Sequence, residues 1–137
     1  MSRPTRFRLY SKLAKKYIDY ITIGFSKNGE LRSYSTENGV GPVLDDNYIV
    51  EQGTGLLDRN GKEIYNGDIF RNTINGGIWC VCWNEKGATF WVDSGVAGGS
   101  LGDFDWDRSE RKYGFIRKNC EVIGNINDNP ELMEGEK

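Results

Sequence analysis

Gly53-Thr-Gly-Leu-Leu-Asp-Arg-Asn-Gly-Lys-Glu-Ile-Tyr-Asn-Gly-Asp-Ile-Phe70 packs two turn signals and two short apolar runs into eighteen residues. Asp58-Arg59-Asn60-Gly61 is the first turn: Asp bonds the backbone two residues on, Asn tolerates unusual dihedrals, and Gly61 takes a positive φ at little steric cost. Flanked by Leu56-Leu57 and Ile64-Tyr65, it predicts a hairpin whose loop is a type I turn closed by a glycine bulge. Asn66-Gly67-Asp68 then feeds Ile69-Phe70, and Gly-Asp-apolar is a pattern that suits chain entry into a strand of a small barrel. Two reversals this close together specify consecutive antiparallel strands rather than βαβ units. The expected fold class is mainly β, a β-rich α+β chain built on a small SH3-like antiparallel barrel.

Upstream, Phe7 and Leu9 alternate with Arg6, Arg8 and Tyr10, as in a strand with one wet face. Leu13, Ala14, Tyr17, Ile18 and Ile21 fit one face of a helix, whereas Tyr20 to Phe25 is β-rich. Lys27-Asn28-Gly29-Glu30 is a further turn leading to Leu31-Arg32-Ser33-Tyr34. Residues 35 to 47 read as a loop containing Asp45 and Asp46, followed by a strand at Tyr48-Ile49-Val50.

Downstream, Ile78 to Trp83 is apolar on both faces, with Trp79, Val81 and Trp83 on one and Ile78, Cys80 and Cys82 on the other, which predicts the most buried strand. Asn84 to Gly87 turns the chain into a strand over Ala88 to Val92. The two tryptophans suit either core or a stacking platform; core is the reading that a small aromatic-rich barrel favours. Gly95 to Gly102 reads as a flexible loop. It lacks the Gly-Lys-Ser/Thr ending of a phosphate loop and a clear following helix. Asp103-Phe104-Asp105-Trp106-Asp107 alternates, predicting a strand with both aromatics inward and three carboxylates outward. As a calcium loop the spacing fails, since Arg108 stands at the turn glycine and Gly114 at the bidentate acid. An acidic edge paired with Arg108, Arg111 and Lys112 is the simpler reading. Tyr113 to Lys118 leads to a last strand at Cys120 to Ile126, and Asn129-Pro130 reads as the N-cap and first position of a short helical turn.

Several of these segments together resemble the YopX family of phage and prophage proteins. The matching residues are Thr54-Gly55-Leu56, Asp58, Asn60 to Tyr65 and Gly67-Asp68-Ile69. A second block follows in the family's order, Glu121 to Ile126 and then Asn129 to Leu132, and Arg6-Phe7-Arg8 is similar to the family's start. Residues 93 to 115 match nothing in it. The family is mostly uncharacterised, so the resemblance implies a fold and a phage-derived setting but no reaction. It also favours a hairpin at the N-terminus with residues 11 to 16 as its loop.

The resulting organisation is an N-terminal β extension and connector over 1–47, an SH3-like barrel over 48–127, and a short acidic tail over 128–137. Eighteen glycines in 137 residues, nearly twice the roughly 7% average, and seventeen aromatics agree with short strands and tight turns. A net charge of −2 gives no global attraction to nucleic acid or membranes. No stretch approaches the roughly 20 apolar residues that span a bilayer, and no signal peptide is evident, so the bacterial host cytoplasm is the expected location. Three cysteines without a single histidine argue against a disulfide framework and a zinc site, leaving Cys80, Cys82 and Cys120 as small hydrophobes.

The absence of histidine also removes the commonest general base. No catalytic, cofactor or metal residues are assigned. The expected role is a non-enzymatic accessory protein that self-associates or binds a host or phage protein. The alternative is a nucleic-acid binder using the basic N-terminal run of Arg3, Arg6, Arg8, Lys12, Lys15 and Lys16. That run is opposite in sign to the tail with Asp128, Glu131, Glu134 and Glu136.

Overall fold

The alternation at the N-terminus and the turn residues after it do make a hairpin. A computed structural model of the chain describes residues 7–18, 22–25, 31–35, 39–43 and 47–134. Strand β1 (Phe7–Ser11) turns through residues 12–15 into β2 (Lys16–Ile18), pairing Leu9 with Ile18 and Ser11 with Lys16. Leu9 and Tyr10 are buried. The helical alternative for this region is therefore not the one adopted. β3 (Thr22–Phe25), β4 (Leu31–Ser35) and β5 (Gly39–Val43) form a separate three-stranded antiparallel sheet in that order. The loop expected over 35 to 47 thus contains a strand. Pro42 stands in β5, an edge strand among the described residues, between the paired positions Val40 and Val43 where the register shifts. The Lys27–Glu30 turn and the Asp45-Asp46 pair lie outside the described residues.

The chain divides into two compact units, Ser2–Gln52 and Gly53 onward. β6 (Tyr48–Leu57) begins in the first, where Tyr48 to Gln52 pair antiparallel with β1. In the second unit its end pairs with β7 (Glu63–Tyr65). Five residues of β6, from Gly53 to Leu57, oppose three of β7, from Tyr65 to Glu63, so β6 bulges, and Gly55 sits at the bulge with φ +83°. The Thr54 hydroxyl ties the bulge by donating to the Ile64 carbonyl (2.8 Å) and accepting from Leu56 N–H (3.1 Å).

The predicted turns are present as read. Gly61 has φ +81° and its N–H donates to the Asp58 carbonyl at 3.0 Å. Gly67 has φ +92°, its N–H donates to Val81, and its carbonyl accepts from Ile126 N–H. From there β8 (Asp68–Asn72), β9 (Ile78–Asn84), β10 (Thr89–Asp93) and β11 (Gly98–Ser100) run antiparallel, and β8 pairs on its other side with the late strand β14 (Cys120–Asn125). Between them come α1 (Leu101–Asp105), a two-residue ribbon of β12 (Trp106–Asp107) and β13 (Lys112–Tyr113), and α2 (Phe115–Asn119); α3 (Glu131–Glu134) follows β14.

The five-stranded sheet, in the order β11-β10-β9-β8-β14, is open: its edges β11 and β14 share no ladder among the described residues. A closed SH3-like barrel is therefore not the arrangement seen, although the mainly β class and the C-terminal helical turn are. Ile64, Phe70, Val81, Val92, Leu101, Ile116 and Cys120 form the core, with Leu56, Trp79, Phe90, Phe104, Phe115 and Val122 packed on it. Each large aliphatic or aromatic side chain so buried contributes about 1.5–3 kcal/mol.

The most buried strand is β8 and not β9, because the C-terminal half of β9 comes to the surface, with Trp83 45% exposed and edge-on to Phe90. At the C-terminus, Asn129 does not cap α3 with its side chain; Asn129 Oδ1 accepts from Asn125 N–H at 3.3 Å. Gly124 makes that contact possible, since a Cβ there would fall 2.5 Å from Asn129 Oδ1 and 2.9 Å from Leu132 Cδ1. Both blocks that resemble the YopX family are thus explained by local architecture.

Candidate functional site

Four acidic side chains in the second unit are buried, Asp58, Asp68, Asp105 and Asp107, and the question is what each carboxylate holds. Asp58 takes Asn60 N–H and Lys62 N–H on Oδ1 and, across 64 residues of chain, Val122 N–H on Oδ2, each at 2.9 Å. Its carbonyl and that of Arg59 accept from the Arg117 guanidinium at 3.0 Å. Asp68 Oδ2 accepts from Tyr65 N–H at 2.8 Å. These two acids organise the central stretch and leave little for chemistry.

The Asp103 to Asp107 segment is not a strand with an acidic face. Ser100 caps α1 by accepting Asp103 N–H at 3.1 Å, so the backbone winds into a helical turn as far as Asp105. That rotation buries Asp105 and Asp107, leaves Asp103 exposed, and puts Trp106 outward at 42% exposure. Local capping overrode the period-two pattern.

Asp105 Oδ1 accepts Ile116 N–H at 2.9 Å, capping α2 from a distance of eleven residues. Burial pushes its carboxyl above the ordinary carboxylate range, against the backbone bonds from Ile116 and Gly114. Asp107 Oδ1 accepts three donors of the following turn: Ser109 Oγ–H (2.7 Å), Ser109 N–H (3.0 Å) and Glu110 N–H (3.2 Å). The Ser109 hydroxyl, the two amides and the charge of Lys118 hold its carboxyl below the ordinary range, although burial opposes them.

The glycine run before α1 is likewise not slack. Gly98–Ser100 pairs with β10, and a Cβ on Gly98 would lie 2.6 Å from Trp91 Nε1. Glycine is required there by close approach of the indole. The short helix α1 that follows gives the run a role in placing Phe104.

Around Phe104 the second unit opens into a cleft of about 330 Å³ lined by Asn72, Phe104, Trp106, Asp107, Arg108, Ser109 and Phe115. Phe104 is held rigidly by edge-on contacts to Phe70 (5.4 Å), Trp79 (5.1 Å) and Phe115 (5.9 Å). Trp106 leans edge-on against Tyr113 at 5.0 Å. Asn72 spends Oδ1 on Ile74 N–H (3.0 Å). Its amide nitrogen has no partner among the described residues; neither has Asp107 Oδ2 nor the Arg108 guanidinium. The cleft lining thus combines an acceptor, an amide donor and a cation with three aromatic rings. Sequence reasoning missed this cleft, because its parts come from β8, α1, the ribbon and α2; the Asp107-Arg108-Ser109 turn signal was the one local clue.

The other sequence candidates fall elsewhere. Arg8 pairs with buried Glu51 at 2.7 Å and lies 4.6 Å from the Tyr17 ring centroid, and Tyr17 O–H donates to the same Glu51 oxygen at 2.9 Å. Lys12, Lys15 and Lys16 are exposed around the hairpin turn, while Arg3 and Arg6 lie outside the described residues. Trp79 packs on the core and Trp83 does not form a platform with it. Cys80, Cys82 and Cys120 are in no disulfide among the described residues. Burial, with the charges of Asp105 and Asp58, pushes Cys120 up to about 12, and burial with Asp93 raises Cys82. Such thiols are poor nucleophiles. Among the described residues no group of three or more His, Cys, Asp or Glu could hold a metal ion.

With this geometry in place, the comparisons decide the kinship. The family model described as YopX protein matches residues 6–134. The chain belongs to the YopX family. The crystal structure of protein EF1440 from Enterococcus faecalis superposes with a TM-score of 0.64 at 22% identity, covering 96% of this chain and 99% of that one. Protein yopX from Bacillus subtilis, also a crystal structure, gives 0.56 at 20% identity over 92% and 95% of the two chains. At that identity the likeness is one of fold. No curated protein matches the sequence. Family membership accounts for the turns and bulges; it assigns no role to the cleft. Among the described residues no helix is long and apolar enough to cross a membrane.

Proposed function

We propose that the chain is a non-enzymatic accessory protein, encoded by a phage or prophage and acting in the host cytoplasm, that works by associating with further copies of itself. The observation that carries this reading is the β12–β13 ribbon. Trp106 and Tyr113 stand 42% and 66% exposed on it, in mutual contact. Aromatic side chains of this kind are enriched at the anchors of protein interfaces. The ribbon also carries exposed Arg108, Arg111 and Lys112, while the C-terminal segment exposes Asp128, Glu131 and Glu134. Opposite charges on separate surfaces suit a contact between copies. The employment of Asp58, Asp68, Asp105 and Asp107 in backbone bonds supports binding over catalysis.

Sedimentation at tens of micromolar tests it. The wild type should run as a salt-sensitive assembly larger than 15.5 kDa, and Tyr113→Ser should weaken it by about tenfold or more. A wild-type monomer at every concentration would remove the proposal. The basic N-terminal run is a poorer nucleic-acid surface than its charge suggests, because Arg8 is already engaged by Glu51 and Tyr17.

A further inference from the structure

We infer that the cleft between α1, α2 and the β12–β13 ribbon is a nucleotide site, taking a base against its aromatic rings and a phosphate on Arg108. Two residues that are each only 7% exposed, Asn72 and Asp107, line it with one polar atom apiece left over. Both leftovers are defined by what the other atom of the same group does. Asn72 Oδ1 is committed to Ile74 N–H, so the amide presents its nitrogen, a donor. Asp107 Oδ1 is committed to three donors of its own turn, so the carboxylate presents Oδ2, an acceptor held ionised by the Ser109 hydroxyl, the turn amides and Lys118. Neither atom is sealed from water, so a ligand entering the cleft takes over from solvent a donor and an acceptor that sit on two otherwise buried residues.

The shape of the missing partner follows. Phe104, Trp106 and Phe115 offer ring surfaces and edges, which favour a flat π-system. A flat ring carrying a donor beside an acceptor on its edge is what Asp107 and Asn72 together would read, and every nucleobase has such an edge. Arg108, a cleft residue without a partner among the described residues, supplies a site for the phosphate. The volume of about 330 Å³ is at the small end of ligand sites and suits one nucleotide rather than a dinucleotide. A lone cation fits less well: Arg108 lines the cleft, and Lys118 is near enough to act on Asp107.

The source is either a free mononucleotide or one unit of a single strand, and the test separates them. The full chain, labelled with ¹⁵N, is titrated with AMP, GMP, CMP and UMP, with the matching nucleosides, with six-residue homopolymeric RNA and DNA strands, and with inorganic phosphate. The reporters are the Trp106 indole N–H and the Asn72 side-chain amide. Saturating shifts with mononucleotides support a free-nucleotide site. Saturation with strands alone, abolished by Trp106→Ala, supports a single-strand site. Arg108→Ala, an exposed change, should weaken nucleotide binding about tenfold and leave nucleoside binding unchanged. No shift with any nucleotide or strand at millimolar concentration overturns the inference, as does an equal shift with inorganic phosphate. Sedimentation of the same samples keeps this result apart from self-association, on which the inference does not depend.

Discussion

The stretch from Asp58 to Ile69 and the stretch from Asp93 to Phe115 are built from the same materials, and only the first could be read. Each contains a buried aspartate that collects three donors around a turn. In the first, residue pattern and backbone demand coincide: Asn60-Gly61 and Asn66-Gly67 sit where positive φ is needed, at +81° and +92° for the glycines. In the second, a perfect alternation of acids and aromatics suggests a strand. The Ser100 hydroxyl and the Asp105 and Asp107 carboxylates instead bond backbone amides and wind the chain into two short helices and a ribbon. Where propensity and side-chain capping agree, a sequence is legible; where they compete, the capping groups decide.

The sharpest way to break that comparison is to remove the two aspartates. Asp58→Ala removes the acceptor of two amides of its own exposed turn and of the half-buried Val122 amide 64 residues away, unpinning the turn from β14, and should cost about 2–3 kcal/mol in urea unfolding. Asp107→Ala frees donors of its own turn only, with no bond to a distant strand, and should shift the urea midpoint by clearly less. Equal costs would mean that the two turns are not different in kind.

A second contrast lies within the glycine run. Gly98→Ala places a methyl 2.6 Å from Trp91 Nε1 and 3.2 Å from the Val92 carbonyl, and should cost about 1–3 kcal/mol by thermal unfolding. Gly99→Ala meets nothing within 4 Å and should stay within about 0.5 kcal/mol. If Gly98→Ala is equally silent, the run is the slack loop its composition suggests.

The smallest effect is one of sign. The Asp105 carboxyl is raised in the folded protein, so the fold binds its proton more tightly than the unfolded chain does. Its contribution is most favourable at low pH and declines as pH rises from about 4, the unfolded value, through the folded one. Asp107 is lowered, so its contribution is present above about 4 and is lost as pH falls through its folded value. Melting curves between pH 3 and 7 should therefore change slope in opposite directions in Asp105→Asn and Asp107→Asn, each of which keeps an Oδ1 acceptor. Parallel changes would refute the assignment of opposite environments to acids two positions apart.

The limits of sequence reading elsewhere follow the same physics. The N-terminal hairpin, the central turns and the strands through Val92 depend on neighbours within a few residues, and alternation with turn residues exposes them. The open sheet depends on Cys120–Asn125 crossing back to pair with β8, a long-range choice that no local pattern encodes. The same holds for the cleft, whose walls and polar atoms are drawn from residues 72 to 115. The glycine at 124 shows the intermediate case: the motif marks it, but Asn129 turning back toward the strand is what explains it.

The turn between β10 and β11 has a practical bearing on handling this protein. Ser94 and Ala97 close it with three bonds, and Val96 at its tip is 91% exposed. An epitope or fluorophore-accepting peptide is best spliced at Val96, whereas the same graft two residues later would displace the indole seated over Gly98.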